Sequence, residues 1–278
     1  MAAKSKSRRR DSKLKALLGQ HTVLSYDSLL EMGGGKARAD RVRESAKYYA
    51  RTGKLRHLTR GLYAVVPHGA DPSSFLPDPY LVAAALRPDA VLSHHSALDL
   101  LGVARSVFHF FPYLTNSPRR TLRLDGREWP ALSRPNPLAQ RGNTEFGVVE
   151  VDRRGTVVRV TGPERTLVDG FLALRWVGGL EEHTESAAGF FDLDLDLLDA
   201  YLTMLGCAVA FAAVGWFLER HPQVAGNASS NLRRFEERVP KNPAYLGPRE
   251  RGGRLERRWN LVVPSHLSSG AGFEGSSA

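Results

Sequence analysis

The sequence predicts a protein of the α+β class, and three observations carry the prediction. Helical periodicity near the N-terminus gives way to two short β-rich runs before residue 66. Helical and β-rich segments then alternate to about residue 180, and the chain is mostly helical from there to Arg220. With 278 residues, of which 42% are hydrophobic, the chain can bury a core without disulfides, and its one cysteine can form none internally.

The net charge of +10 is concentrated at the N-terminus. Residues 1–60 hold 16 Lys and Arg against 5 Asp and Glu, whereas residues 61–220 hold 14 against 19. A basic unit of this kind attracts a polyanion, either a nucleic acid or an acidic membrane surface. The basic cluster Lys4–Lys15 lacks the apolar core of a signal peptide, which predicts a cytoplasmic protein. The uncharged run Ala200–Leu218 is interpreted as one soluble core helix, because acidic residues precede it and small residues dilute it.

The first unit contains three predicted helices. The first covers Lys13–Leu18, and the second runs from a cap at Ser25 to Met32. The third, Lys36–Thr52, has apolar residues at helical spacing and a largely basic outer face. Its inner positions are Ala39, Val42, Ala46, Tyr49 and Ala50, and its outer positions are Arg41, Glu44, Lys47, Tyr48 and Arg51.

Two short strands follow the third helix. They cover Leu55–Leu58 and Leu62–Val66, with a turn at residues 59–61 between them. Three helices and a hairpin predict a winged helix-turn-helix over residues 12–66, after a disordered basic arm at residues 1–11. Such a fold places its third helix in the major groove of DNA and its hairpin tip on the flanking backbone or minor groove. The predicted DNA contacts are Arg38, Arg41, Lys47, Tyr48, Arg56 and Arg60.

A linker and a second domain follow. Residues 67–79 are rich in proline and predict a linker, and residues 268–278 predict a disordered tail. Between them, residues 80–267 predict a mixed α/β domain with a helical C-terminal part. Its predicted elements are the helices Tyr80–Leu86 and His94–Leu101, the second capped by Ser93, the strands Ala90–Leu92, Val107–Leu114, Thr121–Leu124, Phe146–Val151 and Thr156–Val160, and a docked strand at Trp259–Pro264.

Two motifs invite a catalytic interpretation, and folding explains both. The loop Gly33–Ala37 lacks the Ser or Thr and the leading Gly of a phosphate-binding loop, so it is interpreted as a turn. Adjacent residues such as His94 and His95 point about 100° apart on a helix, so the pair is interpreted as a helix start. Lysine is absent between Lys54 and Lys241, so a nuclease of the paired-carboxylate kind lacks its lysine there. No catalytic residue, cofactor or metal is predicted.

A further helix is predicted to begin at Pro163, which suits a first helical turn. Arg165 and Asp169 lie four residues apart in it and are interpreted as an exposed ion pair. Cys207, inside the uncharged run, is interpreted as an inert buried thiol.

Four runs of the sequence resemble one protein family. They are Gly53-Lys54-Leu55 through Thr59-Arg60-Gly61-Leu62-Tyr63, Ser93-His94-His95-Ser96-Ala97-Leu98 with Gly102, Pro163-Glu164-Arg165-Thr166-Leu167-Val168-Asp169, and Arg257-Arg258-Trp259-Asn260-Leu261-Val262-Val263-Pro264. In this order they are similar to the AbiEi antitoxins of type IV toxin–antitoxin systems, over about residues 12–267. Each motif alone is moderately specific.

The resemblance implies a winged-helix domain that binds double-stranded DNA repeats in its own promoter and represses a bicistronic operon. It also implies a C-terminal region that counters a nucleotidyltransferase toxin encoded next door, for which a stable direct complex is not required. Three alternatives stay open on the sequence. They are a stand-alone winged-helix regulator, a nuclease guided by the winged helix, and an RNA or protein interaction module that uses the same basic face.

Overall fold

The computed structural model describes residues 19, 21–33, 35–117, 120–226, 228–247 and 252–268. Within them the predicted α+β class is confirmed, because helices alternate with four small sheets. The predicted basic arm, the predicted helix Lys13–Leu18 and nearly all of the predicted tail lie outside the described residues. None of the helices in the described ranges has both the length and the apolar character that a membrane span needs.

The N-terminal unit, residues 21–66, contains three strands and two helices. They are β1 (Val23–Ser25), α1 (Tyr26–Gly33), α2 (Ala39–Arg51), β2 (Leu55–Thr59) and β3 (Leu62–Val65), with a 3-10 turn at Lys36–Arg38 before α2. The antiparallel sheet has the order β1-β3-β2. The short β1 was not predicted, because three residues show too little alternation to reveal a strand.

Local sequence explains how these two helices form. The Ser25 hydroxyl accepts the backbone N–H of Ser28 at 3.0 Å, which confirms the predicted cap of α1. The apolar stripe of α2 is buried at Val42, Ala46 and Tyr49, as its spacing predicts. The buried residues of this core are Leu24, Leu29, Val42, Ala46, Tyr49, Leu55 and Val65. The opposite face of α2 is left to solvent.

The second domain is built around a five-stranded sheet of order β8-β5-β4-β10-β9. Strands β4–β10 and β5–β8 pair in parallel, and β4–β5 and β9–β10 pair antiparallel. The elements to residue 161 are α3 (Pro79–Leu86), β4 (Val91–Leu92), α4 (His95–Leu100), β5 (Tyr113–Thr115), β6 (Leu122–Leu124), β7 (Arg127–Trp129), β8 (Ala131–Ser133), α5 (Asn136–Gln140), β9 (Val148–Arg153) and β10 (Thr156–Thr161). Strands β6 and β7 form a separate hairpin whose turn, Asp125-Gly126, has positive φ at both residues.

The predicted strand Val107–Leu114 is largely wrong. Only Tyr113–Thr115 is a strand, and Val107 is 91% exposed. The rings of Phe108 and Phe110 instead stack on one another with centroids 4.9 Å apart. The proline at position 112 cannot donate to a strand ladder, so the apolar run packs as an aromatic cluster.

The C-terminal part is mainly helical and ends in a small sheet. Its elements are α6 (Pro163–Leu172), α7 (Leu180–Ala187), α8 (Leu195–Leu205), α9 (Ala208–Arg220), α10 (Ser229–Glu236), β11 (Ala244–Tyr245), β12 (Arg254–Glu256), β13 (Leu261–Val263) and α11 (Ser265–Ser268), with 3-10 turns at Leu174–Trp176 and Pro222–Val224. Strand β13 lies between β11 and β12, which confirms the predicted docked strand near the C-terminus.

The interpretation of Ala200–Leu218 as one helix is wrong. Gly206 adopts a left-handed conformation with φ 61° and ends α8, since glycine takes this conformation without a steric penalty. Cys207 precedes α9 and is half-buried rather than fully buried in a helix. The uncharged run is therefore two core helices.

The interpretation of Arg165 and Asp169 as an exposed ion pair is also wrong. The Arg165 side chain is 0% exposed and that of Asp169 is 5% exposed, with Nε 3.4 Å from Oδ2. The Tyr201 hydroxyl donates to Asp169 Oδ1 at 2.5 Å, and Arg165 Nη1 donates to the carbonyl of Phe146 at 2.8 Å. Burial raises the pKa of Tyr201 well above its usual range, so the phenol stays a donor. These groups form a buried polar network between α6 and α8.

The N-terminal sheet is docked on the second domain. Leu58, Leu62 and Ala64 of the β2–β3 hairpin belong to the same buried core as α3 and the five-stranded sheet. The predicted linker, residues 67–79, therefore spans two units that are packed together. One face of the hairpin is covered by the second domain, and this decides which of its side chains face solvent.

Candidate nucleic-acid interface

The outer face of α2 is basic and exposed. Helix α2 carries four Lys and Arg against two Asp and Glu, and the wider segment from Lys36 to Arg60 carries nine against two. The side chain of Arg41, near the start of α2, is exposed and forms no ion pair or hydrogen bond within the described ranges. Its guanidinium is therefore available to a phosphate or to a guanine edge, which arginine recognises with two parallel hydrogen bonds.

Tyr48 and Arg51 lie on the same exposed face. The Tyr48 side chain is 52% exposed, which is high for an aromatic residue on a helix of a folded unit. The guanidinium of Arg51 lies 5.9 Å from the centroid of the Tyr48 ring. An exposed ring beside an arginine can stack against a sugar or contact a thymine methyl group. The sequence analysis placed Arg51 on the outer face but left it out of the predicted contacts.

Lys47 is exposed but already paired. Its ammonium donates to Glu44 Oε1 at 2.9 Å. This hydrogen bond and the lysine charge lower the pKa of the Glu44 carboxyl. Arg43 similarly lies 3.6 Å from Asp40. Both pairs are open to solvent and weak, so a nucleic-acid phosphate can compete with either carboxylate.

Arg38 and Arg60 are the two predicted contacts that lie outside α2 and outside the strands. Arg38 belongs to the 3-10 turn that precedes α2, and its side chain lies outside the described part of the structure. Arg60 is exposed at the turn of the hairpin. The backbone N–H of Tyr26 donates to the carbonyl of Gly61 at 2.7 Å, which holds this turn against the start of α1. The arginine at the hairpin turn and the basic helix thus belong to one folded unit.

Arg56 has a different role from the predicted one. Its Nη1 donates to the carbonyl of Phe75 at 2.6 Å, and its Nη2 lies 2.6 Å from Asp125 Oδ2. The side chain is only 14% exposed. Arg56 therefore joins the hairpin to the second domain, and its charge is already neutralised by Asp125.

Strand alternation in the sequence indicates only part of the reason why Arg56 is covered. Successive side chains of a strand point to opposite faces, so Arg56 shares its face with Leu58, and Leu58 is buried against the second domain. The alternation therefore places Arg56 and His57 on opposite faces of β2. Only the docking of the two units shows that the face of Arg56 is the covered one.

Comparisons with known proteins give a structural similarity. No protein-family model and no curated protein matches the chain. Its fold is similar to that in the crystal structure of the RV2827C protein from Mycobacterium tuberculosis, with a TM-score of 0.57 and 17% sequence identity. The match covers 92% of this chain and 91% of the other. At this level of identity the likeness shows a shared fold.

Proposed function

We propose that this chain is a double-stranded DNA-binding transcriptional repressor of the AbiEi antitoxin type. It represses its own operon through repeats in the promoter and counters a nucleotidyltransferase toxin, and it works in the cytoplasm. One observation carries the DNA-binding part, namely the exposed face of α2, which presents the unpaired side chain of Arg41 and, two helical turns along, the exposed ring of Tyr48. The AbiEi part rests on the four sequence motifs.

The proposed contacts use the exposed face of α2 and the turn of the hairpin. Helix α2 enters the major groove with Arg41 and Tyr48 near base edges, and Arg51 and Lys47 near phosphates. Arg60 reaches the flanking backbone from the hairpin turn, and Arg38 approaches at the start of α2. Arg56 is left out of the contact set, since it is bonded to Phe75 and Asp125.

Replacing Arg41 by alanine is expected to weaken specific DNA binding by about 1–3 kcal/mol, because the side chain would lose a charged contact to a base or phosphate. Gel shifts of the parent and variant on the region upstream of the gene, over a series of salt concentrations, measure the effect. Arg233→Ala is the matched control, because Arg233 is also an exposed helical arginine but lies on α10, in the other domain. Its affinity is expected to equal that of the parent.

A DNA affinity that is unchanged by Arg41→Ala and independent of the salt concentration would overturn the DNA-binding proposal. Competition between the duplex and a structured RNA separates it from the RNA alternative. Tight binding that any RNA removes as readily as duplex DNA would favour an RNA module. Metal-dependent cleavage of plasmid DNA by the purified protein would favour the nuclease alternative.

The antitoxin part is tested by growth. Co-expression of the chain with the nucleotidyltransferase encoded beside it is expected to restore growth that the toxin alone arrests. The Arg41→Ala variant is expected to retain rescue while losing repression of a promoter reporter, because the proposal assigns rescue to the second domain. A chain that represses the reporter but never rescues growth would be a stand-alone regulator.

A further inference from the structure

His94 adopts a backbone conformation that residues other than glycine rarely adopt. It lies between β4 and α4 with φ 53° and ψ −127°. The structure therefore corrects the predicted helix start, since α4 begins at His95 and Ser93 is not its cap. A strained residue persists only where its surroundings enforce it, and such residues cluster at functional sites. Glycine would fit this backbone at less cost, so the imidazole itself is the feature to explain.

The imidazole of His94 is buried and only half partnered. The residue is 5% exposed, and its Nδ1 lies 2.9 Å from the Ser93 hydroxyl. Within the described ranges the only side-chain hydrogen bond of His94 is the one through Nδ1, so Nε2 has no partner there. Burial lowers the pKa of His94 to about 4, so the ring is neutral at pH 7, and Nε2 is left as a donor or an acceptor according to the tautomer.

A cavity of about 440 Å³ opens beside His94. It is bounded by β8 on one side and by the 3-10 turn Leu174–Trp176 on the other. Its polar and aromatic lining comes from His94, Thr121, Ser133, Arg175 and Trp176. This volume is within the range of about 300–1,000 Å³ that small-molecule sites occupy.

The charge of the lining is positive. Arg175 is exposed, and its guanidinium lies 4.4 Å from the centroid of the Trp176 ring. Arg175 forms no ion pair in the described part of the chain, and no Asp or Glu is among the described residues that line the cavity. An unpaired guanidinium, a neutral imidazole and a hydroxyl suit a phosphate group, and an indole beside them suits a planar ring.

We propose that this cavity is a binding site for a nucleoside monophosphate. Arg175 and His94 Nε2 hold the phosphate, Thr121 donates a further hydrogen bond, and the base packs against Trp176. The strained turn between β4 and α4 places the imidazole at the inner end of the site. The site belongs to the second domain and is independent of the DNA contact proposed for α2.

Calorimetric titration of the full chain with AMP, GMP, CMP and UMP, each up to about 1 mM, tests the proposal. At least one monophosphate is expected to bind, and the matching nucleoside and inorganic phosphate are each expected to bind at least tenfold more weakly. Arg175→Ala is expected to weaken binding at least tenfold. Arg141→Ala is the matched control, because Arg141 is an exposed arginine of the same domain outside the cavity.

A second variant tests the role of the His94 imidazole in binding. His94→Asn is suited to this backbone, since φ 53° with ψ −127° resembles the first central position of a type II′ turn, where glycine, asparagine and aspartate dominate. It is expected to fold and to lose binding at least tenfold. No binding by any monophosphate, equal binding of nucleoside and monophosphate, or binding that Arg175→Ala leaves unchanged would each overturn the proposal.

Discussion

Replacing Asp169 by alanine is expected to lower the free energy of unfolding by about 3–5 kcal/mol. The substitution removes the carboxylate that pairs with Arg165 at 3.4 Å, while the arginine side chain stays 0% exposed. A cation that water cannot reach is then left without its counter-ion, and the Tyr201 hydroxyl loses its acceptor. Urea unfolding at pH 7 measures the change.

The control for this experiment is Asp40→Ala. Asp40 also pairs with an arginine, Arg43, but its side chain is 98% exposed, so no resolvable change is expected. The triple variant Arg165→Met, Asp169→Leu, Tyr201→Phe removes the three polar side chains together and is expected to be more stable than Asp169→Ala alone. If Asp169→Ala is as stable as the parent, the substitution does not leave the buried Arg165 with an uncompensated charge, and the prediction is wrong.

Acidification from pH 7 to pH 5 is expected to lower the free energy of unfolding by about 4 kcal/mol through His94 and His183. Burial lowers the pKa of each to about 4 in the folded protein, below the usual 6.5. Between these values the unfolded chain binds protons that the folded protein does not, so stability is lost as the pH falls. At pH 5 each histidine accounts for about 2 kcal/mol. Urea unfolding at both pH values measures the loss.

Substitutions of single histidines test whether His94 and His183 cause this pH dependence. His94→Asn is expected to reduce the loss between pH 7 and pH 5 by about 2 kcal/mol, because one of the two groups no longer titrates. His68→Gln is the matched control, since His68 is exposed in the segment between the two units. Its pH dependence is expected to follow that of the parent. If the parent protein is equally stable at pH 7 and pH 5, the two buried imidazoles bind protons in the folded state as readily as in the unfolded chain, and the prediction is wrong.

The N-terminal unit shows what local pattern can predict. The 3.6-residue period of α2 depends only on neighbouring residues, so Val42, Ala46 and Tyr49 were placed inside and Arg41 and Tyr48 outside, as the structure has them. Two-residue turns such as Asp125-Gly126 are equally local, since the positive φ at both positions favours these residue types.

The partner of β1 is distant in sequence. Its last residue, Ser25, pairs with Leu62, 37 positions further along the chain. Pairing over that distance leaves no local period in a three-residue segment, so only the folded chain reveals the strand.

The candidate sites show where local pattern stops. Alternation along β2 separates Arg56 from His57, but it does not say which face another domain covers. The spacing of Arg165 and Asp169 predicts that they meet, yet the same spacing serves an exposed pair and a buried one. The pattern around His94 predicted a helix start, whereas the chain turns sharply there with a positive φ.

The sequence by itself determined the α+β class, the basic N-terminal unit, the amphipathic α2 and its exposed Arg41 and Tyr48, because composition and period depend on neighbouring residues alone. Only the tertiary structure decided that the hairpin is docked through Arg56 and that Arg165 and Asp169 are buried. It also decided that His94 borders a cavity. Burial and partnering depend on which segments, distant in sequence, pack against each side chain, and a local pattern carries no record of that packing.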